Sequence, residues 1–117
     1  MKISMIKELL NAEVLCCEEY LDHDVYSVCG SDMMSDVLAY VKDQGVLLTG
    51  LVNPQVIRTA EMMDMKCIVF VRSKKPTEAM IEMAADDGIV MMTSDMRMYE
   101  ACGTLYSSGL VGTAVHD

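Results

Sequence analysis

The sequence predicts an α/β protein, a three-layer α/β/α sandwich built on a mostly parallel sheet. Three observations lead there. Short apolar runs, "GVLLTG" (45–50), "CIVFVR" (67–72) and "GIVMMTS" (88–94), begin about 21 to 22 residues apart. They lack the polar–apolar alternation of a half-exposed strand, as expected for strands covered on both faces. Between them lie helical patterns with start signals, and alternating strands and helices imply a parallel sheet with helices on both faces.

The elements can be justified in order. Within "MKISMIKELL", residues 4–10 read as an amphipathic helix. A strand is expected around Val14–Cys17, and "VYSVCG" (25–30) is a better strand candidate. A helix over 33–43 presents Met34, Val37, Leu38 and Val41 at i, i+3, i+4, i+7, with Ser31 or Asp32 as its cap. Asn53 followed by Pro54 is an N-cap with proline at the first helical position, and Val56, Ile57, Ala60 and Met63 follow on one face. Pro76 is expected to open the next helix, with Met80, Met83 and Ala84 along its apolar stripe. Ser94 or Asp95 is expected to cap the last one, whose stripe is Met98, Cys102 and Leu105, with Tyr99 and Tyr106 alongside and Gly109 as its stop. The sum is roughly four β-α units behind an amino-terminal helix and strand. No composition break divides the chain, so a single domain over 1–117 is expected, with a core at about 2–110 and a short C-terminal tail.

Composition narrows the function classes. The chain has 117 residues, 52% of them hydrophobic, which is enough for a modest core. No apolar run reaches the roughly 18–20 residues of a membrane span, and the amino terminus lacks the pattern of a signal peptide. A cytoplasmic protein is expected. The net charge of −9 argues against nucleic acid and against anionic membranes. With five Tyr, one Phe and no Trp, the chain offers no stacking platform for single strands.

Five cysteines (Cys16, Cys17, Cys29, Cys67, Cys102) show no C-x-x-C spacing. No zinc or iron–sulfur site is therefore expected, and a reducing compartment fits. His23, within "DHD" (22–24), reads as part of a solvated loop, because no further ligand has matching spacing. The thirteen methionines mostly fall on apolar positions and act as adaptable core filler. The pairs Met33–Met34, Met62–Met63 and Met91–Met92 cannot all point inward from helices. Met62, Met65 or Met96 is thus expected in an exposed apolar patch, a natural subunit or partner interface.

The run from Met33 to Leu110 resembles a small DRTGG-domain protein, related to the amino-terminal domain of HPr kinase. The resemblance covers nearly all the chain, about residues 2–110. The likeness is strongest at "SDVLAYV" (35–41), "LLTGLVNPQ" (47–55) and "VRSKKPTE" (71–78). Of the naming motif only Thr49 and Gly50 hold the T-G position, and its Asp and Arg are absent. The resemblance implies an α/β/α sandwich. Such domains occur alone or as regulatory inserts beside nucleotide-sensing domains in some pyrophosphatases, tend to dimerise, and have no firmly assigned catalysis. Stand-alone members are often named as hydrogenase-associated or iron–sulfur proteins.

In an open α/β sheet, ligands collect beyond the carboxyl ends of the strands. The candidate binding residues there are Thr49, Gly50 and Asn53 after one strand, Arg72, Ser73, Lys74 and Lys75 after the next, and Thr93 and Ser94 after the third. Asp95 follows the third strand too, and Ser31, Asp32 and Ser35 follow the earlier one. Four of the nine cationic residues fall between 66 and 75, an excess that marks "RSKK" in an acidic chain. Arg72 offers a fork for a carboxylate or phosphate, and Lys74 and Lys75 precede the expected helix amino terminus. The competing reading of this stretch is a solvated β-α loop, and of Thr49–Gly50 a simple turn.

Missing motifs argue against an enzyme. The chain has no G-x-x-x-x-G-K-[ST], no G-x-G-x-x-G and no G-x-S-x-G, so a kinase loop, a dinucleotide site and a nucleophile elbow are all lacking. No catalytic residue, metal ligand or cofactor is expected. Two readings remain. One is a homodimeric regulatory module for a small anionic metabolite or nucleotide. The other is a protein-interaction or assembly factor for a redox enzyme such as a hydrogenase, with no small-molecule ligand.

Overall fold

The computed structural model describes residues 1–40 and 45–110. Helix α1 (Ile3–Leu9) leads into strand β1 (Glu13–Cys16) and a short 3-10 turn (Glu18–Tyr20). Four β-α units follow: β2 (Val28–Gly30) with α2 (Met34–Tyr40), β3 (Val46–Thr49) with α3 (Gln55–Met62), β4 (Cys67–Phe70) with α4 (Glu78–Asp86), and β5 (Val90–Thr93) with α5 (Met98–Ser107). The sheet order is β1-β5-β4-β3-β2. Strands β2 to β5 are parallel, and β1 closes the β5 edge antiparallel. The expected α/β sandwich with a mostly parallel sheet is therefore the observed architecture.

Every residue of β3, β4 and β5 is buried, which explains why these runs read as continuous apolar segments. Their side chains alternate between two cores. Val46, Leu48, Cys67, Val69, Val90 and Met92 face α1 and α5. Leu47, Ile68, Phe70 and Met91 face α2, α3 and α4. The crossovers β2-α2-β3, β3-α3-β4 and β4-α4-β5 all step the same way across the sheet. A common right-handed sense then puts their three helices on one face. Helix α5 leaves β5 for the opposite face, where Ala101 and Leu105 join Ile3, Ile6 and Leu10 of the amino-terminal segment.

Several boundaries depart from expectation. Helix α4 begins at Glu78 rather than Pro76, because Thr77 caps it: the Thr77 side chain accepts the Met80 N–H. Lys74 and Lys75 consequently lie in the connecting loop, short of the helix. Helix α5 starts at Met98 behind Arg97, with no side-chain cap. Ser94 does not cap it: its hydroxyl donates to the Leu10 carbonyl at 2.7 Å, and its oxygen accepts the Met96 N–H, which lies ahead of the helix. Helix α3 runs from Gln55 with Pro54 in the cap position, one residue later than expected, while Asn53 Oδ1 accepts the Gln55 N–H at 2.8 Å. Val41, expected on the α2 stripe, lies outside the described residues. Of the three methionines expected at the surface, Met62 is 69% exposed, Met96 is half-buried, and Met65 is buried. Met65 turns inward because Asp64 adopts a left-handed conformation (φ 54°) and the Met65 N–H returns to the Ala60 carbonyl.

Candidate functional site

The parallel register carries the polar residues that follow β2, β3, β4 and β5 to one rim. There they divide into two groups. The first is centred on Asp32, which lies between β2 and α2. Its Oδ1 accepts the Gly50 N–H at 2.7 Å and the Thr49 hydroxyl at 3.2 Å. Its Oδ2 accepts Arg72 Nη2 at 3.1 Å, and the two side chains form an ion pair. One carboxylate thus collects donors from the ends of two neighbouring strands, β3 and β4. Thr49 is buried and fully used, since its oxygen also accepts the Leu51 N–H.

Arg72 reaches Asp32 by lying across Gly50. A Cβ on Gly50 would sit 2.7 Å from the guanidinium carbon and would overlap Nη2. Glycine at this strand end therefore leaves room for the arginine as well as supplying an N–H. The backbone beneath is strained, with Arg72 and Ser73 both in the left-handed region at φ 60°. It is held there by long-range bonds. The Arg72 N–H reaches the Met96 carbonyl at 2.7 Å, and the Ser73 N–H reaches the Ser94 carbonyl at 3.0 Å.

The second group laces the ends of β4 and β5. These adjacent strands send their helices to opposite faces, the arrangement that opens a crevice in α/β sheets. Here the crevice is bridged by the chain itself. Ser73 donates to Asp95 at 2.8 Å, and Thr93 donates to the Lys74 carbonyl at 2.7 Å. The Ser94 hydroxyl is buried and turned to Leu10, so it is not presented at the rim. Asn53 is exposed and spends its side-chain oxygen on its own helix. Lys74 and Lys75 are exposed, and neither forms an ion pair among the described residues.

Of the nine candidates, the structure joins Thr49, Gly50 and Arg72 directly. Ser73, Thr93 and Ser94 serve the adjoining loops, while Asn53, Lys74 and Lys75 stand apart. The residue missing from the nine is Asp32. It was visible as an acid after a strand end, but nothing local marks it as the partner of an arginine forty residues away. Among the described residues, no group of three or more His, Cys, Asp or Glu side chains could hold a metal ion. His23 is exposed and packs its ring against Tyr20, with centroids 5.0 Å apart.

Two clefts lie elsewhere. One of about 680 Å³ has Met1, Met5, Leu9, Val25 and Leu110 among its walls. Another of about 880 Å³ runs along α5 past Tyr99, Gly103 and Tyr106. Neither cleft includes Asp32, Thr49, Gly50 or Arg72 among its lining residues.

The fold defines a small α/β domain with a mostly parallel sheet. The chain is similar in structure to the CBS and DRTGG domains of the regulatory region of a Clostridium perfringens pyrophosphatase, crystallised with the activator diadenosine tetraphosphate. The TM-score is 0.74 at 16% identity, covering 92% of this chain and 46% of that one. At that identity the likeness bears on fold, and there it agrees with the resemblance carried by "LLTGLVNPQ" and "VRSKKPTE". The matched chain belongs to the regulatory region of that pyrophosphatase. No family model matches the chain, and no curated protein is recognisably similar in sequence. No helix among the described residues is long and apolar enough to cross a membrane.

Proposed function

We propose that this chain is a non-catalytic, cytoplasmic regulatory module that binds a small anionic metabolite or nucleotide at the carboxyl ends of its parallel strands and acts as a homodimer. One observation carries the reading: the Gly50 N–H, the Thr49 hydroxyl and the Arg72 guanidinium all point at a single carboxylate. Charge-assisted donors converging on one point are the chemistry of oxyanion recognition. Lys74 and Lys75, exposed on the same loop as Arg72, would add charge for a polyphosphate. The nucleotide activator held by the pyrophosphatase region supports a phosphorylated ligand by analogy of fold.

The test is calorimetric titration with diadenosine tetraphosphate, ATP and inorganic pyrophosphate. At least one should bind, and Arg72→Ala and the double variant Lys74→Ala/Lys75→Ala should each weaken it about tenfold or more, since a charge-assisted contact contributes roughly 1.5–3 kcal/mol. Binding that ignores all three cations would end the assignment to this rim. Light scattering tests the dimer, for which exposed Met62, Tyr99 and Tyr106 supply apolar surface.

A second reading, an assembly factor for a redox enzyme such as a hydrogenase, is favoured by one feature. Tyr99 and Tyr106 are 89% and 67% exposed along the α5 cleft, an arrangement suited to a protein surface. Loss of partner capture in Tyr99→Ser/Tyr106→Ser, with no anion binding in the parent chain, would select it.

A further inference from the structure

We infer that Asp32 is a built-in occupant of the oxyanion site, and that an external phosphoryl or carboxylate group binds by exchanging with it on Arg72. This rests on the reading of the rim given above and adds how the site is regulated. An aspartate just before a helix ordinarily turns its side chain back to cap that helix. Asp32 does not. Met33, whose carbonyl accepts the Asp36 and Val37 N–H groups, stands at the cap position, and Ser31 closes only a local turn by accepting the Met33 N–H at 2.9 Å. The Asp32 carboxylate is thereby free to cross to β3 and β4, where its two oxygens take three donors. A bound carboxylate or phosphate ligand presents the same two-oxygen edge. The protein's own side chain therefore stands where such a ligand would stand.

The occupant is held loosely enough to leave. The Arg72 and Asp32 side chains are 44% and 46% exposed, so the pair is reachable from water and screened by it. Exposed pairs of this kind contribute little. The Gly50 N–H and Thr49 hydroxyl that Asp32 would give up are open to another anion, so the balance is set by what else the rim offers. Unpaired Lys74 and Lys75 tip that balance toward an incoming anion. Release has a structural consequence, since Asp32 lies two residues before α2. Helix α2 has only seven residues and is anchored to the core through Met34 and Val37. A helix that short depends on its tertiary contacts. Loss of the Asp32 tether frees its leading turn, so occupancy of the rim is read out at α2.

The experiment titrates inorganic phosphate and, separately, acetate into the full chain and into Asp32→Asn, Asp32→Ser and Arg72→Ala. Circular dichroism confirms that each variant is folded. Asp32→Asn keeps the shape but removes the competing charge, so phosphate should bind at least about fivefold tighter than to the parent, near the upper range for an exposed pair. Asp32→Ser should agree, and Arg72→Ala should abolish binding. Tighter acetate binding in the same variants marks a carboxylate ligand, and tighter phosphate alone marks a phosphoryl group. Phosphate should also speed amide exchange over residues 31–40 in the parent, and Asp32→Asn should show that faster exchange without phosphate. If nucleotides bind in an Arg72-dependent way but both Asp32 variants bind phosphate no tighter than the parent, the occupant idea is overturned and the site survives. If no anion binds any folded variant, both fall.

Discussion

Arg72 lies over Gly50 so closely that a single added methyl group has to displace its guanidinium. The atoms in the way are the far end of a flexible side chain, so the backbone need not move. Gly50→Ala should therefore act by expelling Arg72 from Asp32. Its cost should stay below about 1 kcal/mol, the range of an exposed ion pair. Arg72→Ala removes the same contact, so the two changes should be clearly less than additive in a double-mutant cycle by urea denaturation. Full additivity would mean that Gly50 serves something other than the arginine.

Gly45 offers the opposite case. A Cβ there would overlap the Ser27 carbonyl oxygen and stand 2.9 Å from its carbon, which is main chain rather than a mobile tip. That carbonyl is already committed to the Val46 N–H at 3.0 Å, beside the β2–β3 pairing. Gly45→Ala should thus force β2 and β3 apart and cost about 2–3 kcal/mol, as other overpacked sites do. A urea midpoint lowered no more than that of Gly50→Ala would contradict this contrast.

The same contrast between local and distant partners explains what could be read in advance. Strands β3, β4 and β5 were legible because burial on both faces leaves an unbroken apolar run. Helix α3 was legible because Asn53 and Pro54 act on their own neighbours. Ser94 has the right chemistry for a cap, but its oxygen accepts the Met96 N–H ahead of the helix and its hydrogen goes to a carbonyl 84 residues earlier. Asp32 was diverted in the same way, by an arginine 40 residues later. Thr77 is the exception, since its capping contact with Met80 is local. Pro76 beside it is an equally valid start signal, and pattern alone did not rank the two. What escapes a linear reading is competition for one polar group by partners that only the fold brings together.

Ser94 gives a direct measure of such a distant contact. Its buried hydroxyl donates to Leu10 and accepts the Met96 N–H at 3.2 Å, tying α1 to the β5 end. Ser94→Ala leaves both backbone groups without that partner and should cost about 1–3 kcal/mol. Thr77→Ala, which removes only a helix cap, should cost about 1 kcal/mol. In native-state hydrogen exchange, Ser94→Ala should also loosen α1, whereas Thr77→Ala should loosen only α4. Loss of α1 protection in both variants would break the distinction.

The thiols supply a pH dependence with a definite sign. All five cysteines are unpaired and are pushed above the ordinary thiol value of 9.0, chiefly because burial disfavours the thiolate. Cys67 is fully buried in β4 and is raised furthest, with Cys16 nearby adding to the effect. As the pH climbs past about 9, the unfolded chain gives up these protons while the folded chain keeps them. The unfolded state then binds fewer protons, and stability falls with rising pH. Stability against urea should accordingly be flat in its thiol contribution from pH 6 to 8 and decline from about pH 9 upward. Cys67→Ala costs something at every pH through lost packing, but its decline between pH 8 and 10.5 should be shallower than that of the parent. Parallel declines in the two proteins would show that withholding the Cys67 proton plays no part in the alkaline limit.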